Sequence, residues 1–298
     1  HTDFNLTNTG QILTLKDPGG NIVDQQTISY MEMNHTRGRI PDGANNLCLI
    51  NTPTPDSSNN FSPCYSGYAS TPSINLPAGF YSGTQNVSMT GSGNETVHYT
   101  RDGSVPKISS SVYSSPITVD STIVICARSF SVTPSILPGS VATNTYFIND
   151  NPSLPVVSLS TDAYNLFDKN YGIYVFGTHA DTVTFPFFGA NVCQDWSRPS
   201  HVEFFDNNHQ QAFELNAELK IQGNYSKGFP QRGFSIKAKD DYGGYPISYP
   251  LFPDKPVTEY KSFNIRNAGS DWNKCHMLDR INQKTAQQLT RIDIMDGR

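Results

Sequence analysis

The sequence predicts a multidomain, mostly β chain: two β-sandwich modules followed by an α+β unit. Three observations carry this. Up to about residue 150 the chain breaks into strand-length apolar pieces separated by Gly, Pro, Asn and Ser. Near residue 154 the texture changes to longer alternating segments. One convincing helical stretch stands close to the end. A length of 298 residues is enough for two or three cores.

The elements follow in order. "GQILTLKDPGGNIVDQQTI" is two apolar segments around Asp17-Pro18-Gly19-Gly20, a hairpin signal. "GRIPDGANNLCLINTPTP" places Gly and Pro where a helix cannot continue. These form a first module, residues 1–70, whose Pro-, Asn- and Ser-rich tail, roughly 51–73, reads as a linker. The second module, residues 72–150, holds "NVSMTG", "TVHYTRDGSVP", "SVYSSPITV", "TIVICARSFS" and "VATNTYFI". That spacing of short strands and turns is a sandwich pattern. The third unit, residues 154–298, opens with the strand "LPVVSLS". "DAYNLFDKNYGIYV" reads as a short helical turn entering another strand. "RPSHVEFFD" and "FELNAELKIQG" alternate, with Phe213, Leu215, Ala217, Leu219 and Ile221 on one face. "RGFSIKAK" and "YKSFNIRNAG" continue the sheet. "CHMLDRINQKTAQQLTR" is the helix, with Met277, Ile281, Ala286 and Leu289 as its apolar stripe.

Apolar residues make up 36% of the chain and charged ones 16%, so Asn, Ser, Thr, Gln and Tyr must cover much of the surface. A net charge of -5 supplies no general basic field, and no nucleic-acid partner is expected. No stretch has the length and purity of a membrane helix. No signal peptide is visible and His1 is not an initiator Met, so the chain reads as processed or excised from something longer. Cysteines stand at 48, 64, 126, 193 and 275, with no CxxC pair. Cys48 and Cys64 flank the Pro/Asn/Ser-rich stretch; a disulfide would close it, and the sequence leaves the pairing open. Cys126, within "TIVICARSF", reads as a buried thiol.

Each segment resembles a known module. The first, on "FNLTNTGQILTLKDPGGNIVDQQTI", "GRIPDG" and "NTPTPDSSN", resembles the later part of a lamin-tail domain, an immunoglobulin-like sandwich. The second, on Tyr99 to Pro106, "VYSSPITV" and "ICARSF", resembles the chitobiase/β-hexosaminidase C-terminal type of sandwich. The third, on "LPVVSLSTDAYNLFDKNYGIYV", "RPSHVEFFD", "IQGNYSKGFPQRGFSIKAKDDYG", "YPLFPD" and "YKSFNIRNAGSDW", resembles the leading part of the CotH kinase-like family. The resemblances imply two immunoglobulin-like β-sandwiches, then an incomplete α+β atypical kinase-like domain. Active CotH-like members use ATP with a divalent metal, Mg or Mn, to phosphorylate protein.

The stretch from Ile221 to Lys239 is the candidate site. Gly223, Asn224, Ser226 and Gly228 offer a small concavity, and Lys227, Arg232 and Lys237 offer charge. The blander reading makes the glycines turn residues, Asn224 a cap and the cations solvated. The CotH resemblance implies a nucleotide there, held by Gly223, Asn224, Ser226, Lys227, Arg232 and Lys237, with Arg280 from the Asp279-Arg280 pair of the helix. Gln222 stands where that family carries Arg or His, and Arg232-Gly233 where it carries Lys-Ser. Asp271, Asp279, Asp293 and Asp296 do not fall in its catalytic motif, so no catalytic residue and no bound cofactor is expected in this stretch.

Other groupings carry less. Glu203, Asp206, Glu214 and Glu218 read as a solvated sheet face, and Glu214 and Glu218 are too far apart for a glycosidase pair. His201 and His209 close no zinc set, and no metal site is expected. Asp102-Gly103-Ser104 and the Asp17, Asn21, Asp24 group read as turns. Trp196 and Trp272 either line a groove or cover the sheet. The expectation is a secreted or cell-surface bacterial protein with a structural, adhesive or assembly role, its partners surface or matrix proteins or glycans. The alternatives are an ATP- and metal-dependent kinase completed by a further catalytic half, and a carbohydrate-binding accessory module.

Overall fold

Asp17 to Gly20 turn the chain as their composition demands: the amides of Asn21 and Gly20 bond to the side chain and carbonyl of Asp17, and Gly20 takes the left-handed backbone (φ 87°) that a side chain resists. The computed structural model describes residues 10–289, apart from 240, 241, 243–245, 254, 269, 270, 272 and 273. These fall into two compact units, divided chiefly between Asn149 and Asp150. The chain is multidomain and mostly β, with few helices.

The first unit begins with two hairpins, β1 (Ile12–Lys16) with β2 (Ile22–Thr27) and β3 (Thr36–Arg39) with β4 (Leu47–Ile50). Ile12, Leu15, Ile22 and Val23 are all more than half exposed on the first, so that hairpin buries little. Cys48, Leu49 and Ile50 are fully buried. A Cys48–Cys64 disulfide returns the chain to β4, where Tyr65 forms a bridge with Leu49. The stretch expected as a linker is thereby pinned, and Asn59, Asn60 and Ser58 bond to Asp42 around it.

The strands then run β5 (Gly67–Tyr68), β6 (Ser73–Ile74), β7 (Gly79–Tyr81), β8 (Gln85–Val87), β9 (Met89–Thr90), β10 (Glu95–Thr100), β11 (Ser111–Val112), β12 (Ile117–Val119), β13 (Ile123–Ser131), β14 (Ile136–Leu137) and β15 (Ala142–Ile148). A sheet ordered β11-β10-β13-β15-β7 is built on β13, the longest of them. The β12–β8 and β6–β9 pairs add Val87, Met89, Ile117 and Val119 to the core made by Val97, Ile125, Ala127, Tyr146 and Ile148. The arrangement is β-sandwich-like. Each buried aliphatic side chain contributes about 1.5–3 kcal/mol, which is what makes these short strands pair.

The second unit is a sheet ordered β16 (Val156–Ser160), β17 (Ser197–Phe205), β18 (Gln211–Gln222), β19 (Gly233–Lys237) and then, at the other edge, β22 (Ser262–Ile265), with every neighbour antiparallel. A small hairpin, β20 (Ile247–Ser248) with β21 (Glu259–Tyr260), precedes β22. Val202, Leu215, Ala217, Leu219, Ile221, Ile236 and Ala238 form the core on one face, as alternation predicts. The helices are α1 (Ala163–Phe167), capped by Asp162, and α2 (Leu278–Leu289).

Several expectations are corrected. Residues 171–176 form no strand: the amides of Ile173 and Tyr174 return to the carbonyls of Asn165 and Leu166. Ile173, 1% exposed, still enters the core. The apolar stripe of α2 is not buried among the described residues, since Met277, Ile281 and Leu289 are exposed. The opposite sheet face is not uniformly solvated: Glu203 is 0% and Glu218 7% exposed, and Glu218 bonds Lys239. No helix of the described residues is long and apolar enough to cross a membrane.

Candidate functional site

Gly223 leaves β18 at φ 118°, a conformation glycine adopts freely. The next residues wind into a single tight turn, Tyr225–Gly228. Asn224 occupies its cap position, yet its side chain makes no capping bond, contrary to the capping role read from the sequence. The amides of Lys227 and Phe229 bond the carbonyls of Asn224 and Ser226, so both are used within the turn. Gly228 is buried: a Cβ there would lie 2.7 Å from the Phe185 ring. That ring also packs on Tyr225 and Phe229, at centroid distances of 4.5 and 5.3 Å.

Arg232 closes the loop from the other side. Its Nε donates to the Lys227 carbonyl (2.8 Å) and its Nη1 to the Tyr174 carbonyl (3.1 Å). The guanidinium stands 4.9 Å from the Tyr174 ring and 5.0 Å from Phe176. Burial pulls its pKa down, with Tyr174 opposing. The group stays charged because arginine does not deprotonate in proteins. Asn267, after β22, donates to the carbonyls of Gln231 (2.7 Å) and Ser226 (3.5 Å) and so ties both limbs of the loop. Tyr174, Phe176, Phe185 and Asn267 were not singled out in the sequence. Their only signal was aromatic density and an Asn following a strand.

The remaining candidates lie elsewhere. Lys237 is exposed at the far end of β19, opposite Glu218, while Gln222 and Gly233 pair beside the loop. Four rungs separate these pairs, about 13 Å along an antiparallel ladder. Arg280 is half-buried on α2. Among the described residues no hydrogen bond or ion pair joins it to the loop or to Lys237. The Asp279 side chain, Trp272, Asp293 and Asp296 lie outside the described residues. Asp271 bonds the Leu278 amide and the Cys275 thiol; the Cys275 contact, then the Leu278 amide, lowers its pKa.

Residues 76–133 match the family model of the chitobiase/beta-hexosaminidase C-terminal domain. The matched span runs from before β7 to just past β13 and contains the Tyr99–Pro106, "VYSSPITV" and "ICARSF" strings. No curated protein matches the chain. Within this span the Asp102 carboxylate accepts from the Ser104 hydroxyl (2.6 Å) and amide (3.0 Å), which lower its pKa in that order. Gly103 takes φ 77° between them, so the segment is a closed turn. Trp196 packs against the core of the second unit, with Arg198 over its ring at 5.4 Å.

Proposed function

We propose that this chain belongs to a secreted or cell-surface bacterial multidomain protein and that its role is structural, adhesive or assembly-related. The Cys48–Cys64 disulfide carries this reading. Disulfides persist in oxidising compartments, and here one cross-links a Pro-, Asn- and Ser-rich stretch with little core of its own. The match of residues 76–133 to a C-terminal domain supports the same conclusion, as do the exposed apolar side chains of Ile12, Leu15, Ile22 and Val23 on β1–β2. The lamin-tail and immunoglobulin-like assignments of the opening segment are part of the proposal. Its partners are surface or matrix proteins or glycans.

Fractionation of the producing cells, with non-reducing peptide mapping, tests it. The expected result is an extracytoplasmic protein with Cys48 and Cys64 linked. A cytoplasmic protein with both thiols reduced overturns it. A glycan array and binding to matrix proteins then separate the partner classes.

A second reading rests on the antiparallel sheet followed by α2, with Lys237 exposed on β19 and Arg280 on α2. That order fits the CotH-like resemblance and an ATP- and metal-dependent protein kinase. Transfer of labelled phosphate from ATP by the full-length protein with Mg²⁺ or Mn²⁺ tests it, and no transfer rejects it.

A further inference from the structure

On the sheet face opposite the core of the second unit, β16, β17 and β18 align two polar rows. Ser160 pairs with His201, and His201 with Asn216; Ser158 pairs with Glu203, and Glu203 with Glu214. Directly paired residues in an antiparallel sheet share a face. Two carboxylates are therefore set against one another, and that of Glu203 belongs to a residue that is 0% exposed. Like charges directly opposite one another destabilise a sheet.

Two further atoms point the same way. Among the described residues, His201 Nε2 and Ser160 Oγ are buried and have no hydrogen-bond partner. Ser160 is only 6% exposed. His201 Nδ1 lies 3.0 Å from Asn216 Oδ1, an acceptor, which places the proton on Nδ1 and leaves a lone pair on Nε2. An imidazole whose far nitrogen is oriented by a polar neighbour is the usual form of a metal-ligating histidine. Ligand atoms of His201, Glu203 and Glu214 all lie within 4.8 Å of one another. A tetrahedral set at zinc bond lengths has edges of roughly 3.3 Å, within reach of side-chain rotation.

We propose that His201, Glu203 and Glu214 bind a divalent transition-metal ion of the zinc class. One nitrogen and two carboxylates suit such an ion, which satisfies His201 Nε2 and relieves the carboxylate pair. Ser160 Oγ then bonds a coordinated water. His209, the other histidine of this hairpin, takes no part: its Nε2 lies 2.8 Å from the Pro152 carbonyl.

The test is equilibrium dialysis of the tag-free 298-residue chain against Zn²⁺, read by elemental analysis, with far-UV circular dichroism as a check on folding. One ion per chain is expected. Glu214→Gln, at an exposed position, and His201→Asn each weaken binding at least about tenfold, while His179→Asn leaves it unchanged. Co²⁺ substitution gives visible d–d bands without thiolate charge transfer. The proposal is overturned by the absence of stoichiometric metal, by unchanged affinity in folded Glu214→Gln, by loss in His179→Asn, or by a thiolate band implicating Cys193 or Cys275.

Discussion

Arg232 and Tyr174 are locked together twice. The guanidinium donates to the Tyr174 carbonyl at 3.1 Å, and the Tyr174 hydroxyl accepts from the Arg232 amide at 3.1 Å. Arg232, read from sequence as one of the cations beside the loop, also clamps that loop. Arg232→Ala should cost about 2–3 kcal/mol in urea denaturation, since it leaves the Lys227 and Tyr174 carbonyls without their donors. Arg232→Lys should recover little, because an ammonium cannot reproduce the planar fork. Unchanged stability in both variants would contradict the clamp.

Gly228 should not tolerate a methyl group. A Cβ would meet the Phe185 ring at 2.7 Å, and that ring is held by Tyr225 and Phe229. Gly228→Ala is expected to destabilise by about 1–3 kcal/mol. Phe185→Leu in the same chain should restore part of the loss, which thermal melts of the single and double variants would reveal.

Cys48→Ser with Cys64→Ser should lower the stability of the first unit by about 3 kcal/mol, the scale for a short closed loop. Guanidinium titration of the double variant, beside wild type with and without reductant, measures this. Reduced wild type should behave like the variant.

Glu95 makes the first unit sensitive to acid. Its carboxylate accepts from the Ser70 amide (3.0 Å), the Ser70 hydroxyl and the Ser92 amide (3.4 Å). Desolvation raises its pKa, but these donors outweigh it, Ser70 foremost, and the net shift is downward. A carboxylate depressed on folding contributes stability above its unfolded pKa, and that stability is lost as pH falls through the folded value. The gap between wild type and Glu95→Gln should therefore be full near neutrality and shrink as pH falls below the ordinary glutamate value of 4.5. A gap that stays constant with pH would count against it.

Lys237→Ala should change stability by no more than about 0.5 kcal/mol, because Lys237 is exposed. Under the phosphotransfer reading the same substitution abolishes labelled-ATP transfer by the full-length protein. Activity and stability thus separate at this residue, as they do not at Arg232.

Much of the strand pattern was legible from alternation. Phe213, Leu215, Ala217, Leu219 and Ile221 read as one face because side chains alternate every residue, and the burial of Leu215, Ala217 and Leu219 follows from that period. The failures have a common cause. Glu203 and Glu218 have the period of a solvated face, yet they are buried, because a period specifies a side of the sheet and not what covers it. Residues 171–176 have strand composition, but the carbonyls of Asn165 and Leu166 took their amides first. Local composition does not say which acceptor is nearest.

By itself the sequence determined a multidomain β chain, the turn at Asp17–Gly20, the family resemblance of the middle module and two cysteines placed to close the Pro/Asn/Ser-rich stretch, their pairing left open. These depend on neighbours in the chain or on short periods, which residue order records directly. Only the tertiary structure decided that Arg232 meets Tyr174, that Lys237 stands four rungs from the loop, and that His201 lies beside Glu203 and Glu214. The first and last join segments distant in sequence, through loop packing at Tyr174 and strand register at Glu214, and both are set by how whole faces pack.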